Sequence, residues 1–196
     1  MMKPYSYWRS SAAYRVRIAL NLKGLEHEIV PVNMLKDGGE QLGDAYKQIN
    51  PQGLVPTLVD GDITLTQSLA ILEYLEEQYS RVNLLPGNIG DRARVRQFAQ
   101  LTACDIHPLN NLRVLKYLKQ GLNIADDAKD AWYRHWIMLG FEAFENSLVK
   151  AKSTGPYCLG AEVTLADLCL IPQMYNAHRF DVPLEAYPTL CAIEQA

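Results

Sequence analysis

Residues 50–68 read Asn50-Pro51-Gln52-Gly53-Leu54-Val55-Pro56-Thr57-Leu58-Val59-Asp60-Gly61-Asp62-Ile63-Thr64-Leu65-Thr66-Gln67-Ser68. Asn50-Pro51-Gln52-Gly53 is a turn signal, because proline presets one backbone angle and glycine accepts angles that other residues avoid. Residues 57–60 and 63–66 are two short β-rich runs split by Gly61-Asp62, the composition of a tight hairpin. From Ser68 to residue 79, Leu69, Leu72 and Leu75 recur at helical spacing. Upstream, residues 3–7 read as a strand, and 13–23 as a helix with Val16, Ala19 and Leu20 on one face and Gly24 as its stop. Residues 28–32 read as a second strand and 42–48 as a weak helix. The order β-α-β-α-β-β-α predicts an α/β unit over residues 1–80 with a hairpin at one edge.

Residues 81–90, with Leu85-Pro86-Gly87-Asn88 and Gly90, read as a linker, and 91–196 are helical in pattern throughout. Asp91 is the expected cap of a helix carrying Val95, Phe98, Ala99, Thr102 and Ile106, which Pro108 should kink. A second long helix carries Trp132, Trp136, Leu139 and Ala143, the two tryptophans being assigned to the core. A third starts at Thr164-Leu165-Ala166-Asp167, a capping box with Val163 and Leu168 at the staple positions.

The 196 residues are 48% hydrophobic and 21% charged, with a net charge of −3, which argues against a nucleic-acid binder. The longest uncharged stretch, 48–59, is too short for a membrane span and contains two prolines. Pro4, Trp8 and Arg9 stand where a secretory signal needs unbroken apolar sequence, so a cytoplasmic protein is expected. Cys104, Cys158, Cys169 and Cys191 match no metal-binding or redox spacing, and no metal is expected.

Three junctions carry chemistry. Val55-Pro56 leads into a strand; a cis peptide there turns the Val55 N–H and C=O outward to pair with a peptide backbone, although on the dipeptide alone a trans turn proline is more frequent. Gln67-Ser68 opens a helix, whose free amides and dipole attract a carboxylate; simple capping by Ser68 is equally consistent. Arg9-Ser10-Ser11 sits at a strand-to-helix junction, where a hydroxyl and the helix end favour a bound thiolate; capping alone is again the alternative. Lowering a thiol from about 8.5 to about 6.5 takes roughly 2.7 kcal/mol, within reach of one charge-assisted hydrogen bond plus a helix end. A tripeptide thiol with a free carboxylate suits all three, and glutathione is the candidate.

The chain resembles the zeta-class glutathione S-transferases, a group that includes maleylacetoacetate and maleylpyruvate isomerases. The resemblance rests on Tyr5-Ser6-Tyr7-Trp8-Arg9-Ser10-Ser11, Arg15-Val16-Arg17-Ile18-Ala19-Leu20, Asn50-Pro51 with Val55-Pro56-Thr57-Leu58, and Gln67-Ser68-Leu69-Ala70-Ile71-Leu72-Glu73-Tyr74-Leu75-Glu76-Glu77. It continues through Asp105-Ile106-His107-Pro108-Leu109-Asn110-Asn111-Leu112, Thr164-Leu165-Ala166-Asp167-Leu168-Cys169-Leu170 and Arg179-Phe180-Asp181-Val182. It implies a thioredoxin-like N-terminal domain followed by an all-α C-terminal domain, assembled as a homodimer.

By that resemblance Ser10 hydrogen-bonds the glutathione sulfur with Ser11 close by. Val55 pairs with the cysteinyl backbone, and Gln67 with Ser68 holds the γ-glutamyl carboxylate. Gln41, His107, Asn111 and Arg113 match positions near glutathione, although a lone histidine beside a proline is more often a packing residue. Arg9 and Arg179 match arginines that grip the carboxylates of a small diacid substrate, a task that suits guanidinium geometry. The implied activity is cis–trans isomerisation of a maleyl diacid by reversible thiolate addition. A conjugating transferase or glutathione-dependent dehalogenase is the alternative, and a non-catalytic module a more distant one. Ala12 stands where the family usually has cysteine, which puts disulfide-exchange chemistry in doubt.

Overall fold

The computed structural model describes residues 1–152 and 155–196, which form two compact units, Met1–Asn83 and Leu84–Ala196. Unit 1 runs β1 (Lys3–Ser6), α1 (Ser11–Leu22), β2 (Val30–Pro31), α2 (Asp44–Lys47), β3 (Thr57–Asp60), β4 (Ile63–Thr66) and α3 (Ser68–Gln78). The sheet order is β2-β1-β3-β4, with β1 parallel to β2, β3 antiparallel to β1 and β4 antiparallel to β3. Two reversals make β4 parallel to β1, so α1 and α3 leave the sheet at the same edge. Val16, Ala19 and Leu20 of α1, Leu58 of β3, and Ile71, Leu72 and Leu75 of α3 are all within 1% of complete burial and form the core between helices and sheet. With the helical second unit, this is the thioredoxin-like plus all-α architecture expected from the sequence.

Sheet and helix limits differ from the sequence reading where backbone donors fail. The second strand shrinks from 28–32 to Val30–Pro31, because Pro31 has no N–H to extend the ladder. Single bonds outside it, Glu28 N–H to Met2 O and Val32 N–H to Ser6 O, both at 2.9 Å, keep the flanks in place. The weak helix contracts from 42–48 to Asp44–Lys47, since Gly43 has extended angles and Glu40–Leu42 forms a separate 3-10 turn.

Unit 2 runs α4 (Ile89–Gln100), a π-helical stretch Leu101–Ile106, α5 (Leu112–Lys116), a second π-helical stretch Tyr117–Gly121, α6 (Asp126–Ala151), α7 (Leu165–Arg179) and α8 (Pro188–Gln195). Asn88, not Asp91, caps α4: its backbone is extended and its Oδ1 accepts the Asp91 N–H at 2.8 Å, leaving Asp91 in the first turn. Pro108 follows the end of the π-helical stretch and ends the helix rather than kinking it. The buried stripe of α6 is Tyr133, Ile137, Phe141, Phe144, Glu145 and Leu148, shifted by one or two positions from the one expected. Leu139 and Ala143 are exposed and the two tryptophans half-buried, with the Trp132 indole N–H donating to Leu109 O (2.9 Å). Thr164 and Asp167 form the capping box of α7, and Asp167 Oδ1 also accepts the Cys158 N–H at 2.8 Å.

Candidate functional site

In unit 1, α1 and α3 lie side by side and point the same way. Arg15 Nη1 donates to Ser68 Oγ at 3.0 Å, and Lys23 Nζ donates to Glu76 Oε2 at 2.9 Å. Eight residues along α1 match eight along α3, so the two N-termini share one edge of the unit. Each presents first-turn amides with no intrahelical acceptor and the positive end of a dipole.

Ser10 is the N-cap of α1. Its Oγ accepts the Ala13 N–H at 3.2 Å, and its backbone N–H bonds Tyr7 O at 3.0 Å. The hydroxyl proton has no acceptor among the described residues, so the half-exposed side chain caps the helix and keeps a donor to offer. Ser11, the first helical residue, is buried. Arg9 lies with its guanidinium 5.1 Å from the Trp8 ring centroid.

At the start of α3 the capping alternative fails, because Ser68 is the first helical residue and its buried hydroxyl accepts from Arg15. The N-cap is Gln67, held at φ +70°, a region that disfavours L side chains by about 1–2 kcal/mol. Its side-chain amide donates to Gln52 Oε1 at 2.9 Å. Backbone strain of this kind concentrates at ligand-binding positions.

The Val55-Pro56 peptide is cis, against the commoner trans form, and Val55 takes part in none of the backbone bonds of loops and turns among the described residues. A buried network fixes its neighbours. Tyr46 Oη and Asn50 Nδ2 both donate to Leu54 O at 2.7 Å, and both reach Thr57 Oγ1, at 2.9 and 3.2 Å. Gln41 is 4% exposed, and its Oε1 has no partner among the described residues. Gly39 lies against it, at φ +120°: a Cβ there would come within 2.6 Å of the Gln41 amide.

The remaining predicted residues belong to unit 2. His107 follows the first π-helical stretch, half-buried. Asn111 caps α5, its Oδ1 accepting the Arg113 N–H at 3.1 Å, and Arg113 is exposed. Arg179 ends α7 with its guanidinium 4.8 Å from the Phe180 ring centroid; that ring stacks on Tyr133 at 3.6 Å and 13°. Burial pushes the Tyr133 hydroxyl up to about 12, against the opposing charge of Arg179. Asn110 Nδ2 donates to Tyr133 O at 3.0 Å, so Tyr133 links the segment before α5 to the end of α7.

Arg15 was missed. It is 1% exposed, beneath the N-terminus of α3. Its signal was there: four residues before Ala19, it puts a charge on the apolar face of an amphipathic helix. Among the described residues no cluster of His, Cys, Asp and Glu could hold a metal ion, and no helix is long and apolar enough to cross a membrane.

Residues 9–78 match the family described as glutathione S-transferase, N-terminal domain. The chain is 50% identical over 186 residues, 95% of its length and 86% of the relative's, to a probable maleylacetoacetate isomerase of Vibrio cholerae. It matches the holo structure of a maleyl pyruvate isomerase, a bacterial zeta-class glutathione S-transferase, with TM-score 0.95 and 46% identity, covering 98% of this chain and 90% of that one. A maleylacetoacetate isomerase from Methylobacterium extorquens AM1 with bound malonate and glutathione matches with TM-score 0.94 and 44% identity over the same shares.

Proposed function

We infer that this chain, which belongs to the zeta-class glutathione S-transferase family, is a glutathione-dependent cis–trans isomerase of a maleyl diacid. The observation that carries the glutathione site is the same-direction pairing of α1 and α3, which sets two anion-attracting helix ends at one edge. The α3 end, with the Arg15 cation below it and Gln67 beside it, suits the γ-glutamyl carboxylate. Val55 offers an unpaired backbone N–H and C=O to the cysteinyl residue. The buried Gln41 Oε1 lacks a donor, a deficit of about 1–3 kcal/mol that an amide or ammonium of the tripeptide would offset.

Bound glutathione supplies a thiol that adds to and leaves the conjugated double bond, which is free to rotate in between. Ser10 favours the ionised sulfur by donating its one unused proton, while the α1 end adds its dipole. Ser11 supports that turn from the first helical position. Arg9 and Arg179 bind the substrate's carboxylates as forked donors and stabilise the charge that develops in the transition state. His107, Asn111 and Arg113, all in unit 2, are assigned to glutathione by the family resemblance alone. By the same family resemblance we place the protein in the cytoplasm as a homodimer.

The test is turnover of maleylacetoacetate and of maleylpyruvate with sub-stoichiometric glutathione. The expected result is fumaryl product with glutathione unconsumed, and the faster diacid identifies the substrate. Stoichiometric loss of glutathione would replace the isomerase by a conjugating transferase.

A further inference from the structure

Residues 7–10 carry Arg9 and Ser10 from β1 to α1, yet little side-chain packing holds them. Trp8 is 66% exposed, and a cavity of about 380 Å³ lined by Ser6, Tyr7, Trp8, Ile29 and Pro31 lies alongside. One side chain of α1 reaches back into this gap. Arg17 Nη1 donates to Ser6 Oγ at 2.8 Å and to Tyr7 O at 3.3 Å, and its Nη2 donates to Trp8 O at 3.1 Å. Tyr7 O is also the acceptor of the Ser10 N–H, at 3.0 Å. The arginine's stem is fixed in turn, because its guanidinium lies 5.0 Å from the Tyr14 ring centroid.

We propose that Arg17 is a positioning residue: by gripping the carbonyls of Tyr7 and Trp8 it sets the turn that presents the Ser10 hydroxyl to the glutathione sulfur. The inference rests on the role given to Ser10 above. A rigid fork is required, since two adjacent carbonyls must be held at once, and a lysine ammonium is a point charge without that geometry. Arg17 is half-buried, and desolvation pulls its pKa below the usual arginine value, so the guanidinium is kept here at the expense of its own hydration.

Two variants test it, Arg17→Met and Arg17→Lys, the second keeping the charge and the fold should the first fail to fold. The readouts are the ultraviolet thiolate absorbance of bound glutathione against pH and the glutathione Kd by calorimetry. The expected result is a bound-thiol pKa raised by about one unit, a tenfold change in the thiolate-to-thiol ratio. The Kd measured at pH 5.5, where the bound thiol is protonated in both proteins, should change less than about threefold, because the sites at α3 and Val55 are untouched and a tenfold loss would need about 1.4 kcal/mol. A merely structural role would lower the melting temperature and leave that pKa in place. If both folded variants titrate as wild type, or if the Kd at pH 5.5 rises tenfold, the proposal is wrong. A wild-type protein that leaves the bound thiol at its solution pKa would overturn the Ser10 role instead.

Discussion

Replacing Ser10 by glycine separates the two tasks of its hydroxyl. The Oγ accepts the Ala13 N–H, an ordinary N-cap, and in the proposed complex its O–H donates a hydrogen bond to the sulfur. Glycine is only a few tenths of a kcal/mol worse as a cap, whereas alanine costs about 1 kcal/mol. Neither can donate to a thiolate, and a hydrogen bond to a charged group contributes about 1.5–3 kcal/mol, or about one to two pKa units. With a wild-type bound thiol near 6.5, the glycine variant is expected near 8. The thiolate fraction at pH 7 then falls from about three quarters to about a tenth, and turnover falls about eightfold. The loss should fade as pH rises towards 9, where both proteins hold mostly thiolate. Rate against pH, thiolate absorbance and the urea midpoint should be measured on Ser10→Gly and Ser10→Ala together. The two should share one displaced acid limb, and alanine alone should lose stability. A glycine variant that titrates like the wild type, or one equally slow at pH 7 and 9, would refute the role.

Lys23→Met should destabilise unit 1 by about 3–5 kcal/mol in urea unfolding, because it removes the buried cation paired with the Glu76 carboxylate. Adding Glu76→Leu should recover much of that; a loss below about 1 kcal/mol for the single variant would show that the pair is dispensable. Gln67→Gly relieves the positive φ and removes the side-chain amide, so the melting temperature should hold while the glutathione Kd rises; the reverse pattern would remove Gln67 from the site. Asp126, hydrogen-bonded by Lys119 and Lys129, is held down at about 2 against 3.8 ordinarily. The depressed value means that its stabilising effect is present above 3.8 and is lost as the pH falls towards 2. A carboxyl titration by NMR should show this, and a normal midpoint would show that the two lysines do not engage it.

Periodicity and turn chemistry carried most of the fold. The runs 57–60 and 63–66 are the observed strands β3 and β4, and Thr164-Leu165-Ala166-Asp167 is the observed capping box, because each depends on residues within three or four positions. Register on a broad apolar face was not legible in that way. Trp132, Trp136, Leu139 and Ala143 and the truly buried Tyr133, Ile137, Phe141 and Phe144 are both helical stripes, and the choice turns on which side chain meets α4, where Phe98 stacks on Phe144 at 5.1 Å. Ser10 and Gln67 could be proposed from sequence because short-range helix-end chemistry marks them. Arg17 gave no such mark, since its partners lie nine to eleven residues back and are mostly backbone carbonyls that any sequence would supply.

The edge shared by α1 and α3 shows why such a site resists sequence reading even when every residue in it is visible. Each helix end on its own is as consistent with capping as with ligand binding. What distinguishes them is that an even number of strand reversals separates β1 from β4, which brings both helices out at one edge. Arg15–Ser68 and Lys23–Glu76, each spanning 53 residues, then lock the helices in one register, and a one-residue slip would break both pairs together. The buried Arg15 does not serve the core, where a charge is unfavourable without compensation. It answers the Ser68 hydroxyl and adds positive potential to a helix end that already attracts anions. A carboxylate placed there would be held by dipole, amides and buried cation at once, and in the proposed complex Ser10 addresses the same ligand from the parallel helix. In the proposed complex the electrostatic demand of the tripeptide, a γ-glutamyl carboxylate and a cysteinyl thiolate a short span apart, is met by topology first and by side-chain identity second.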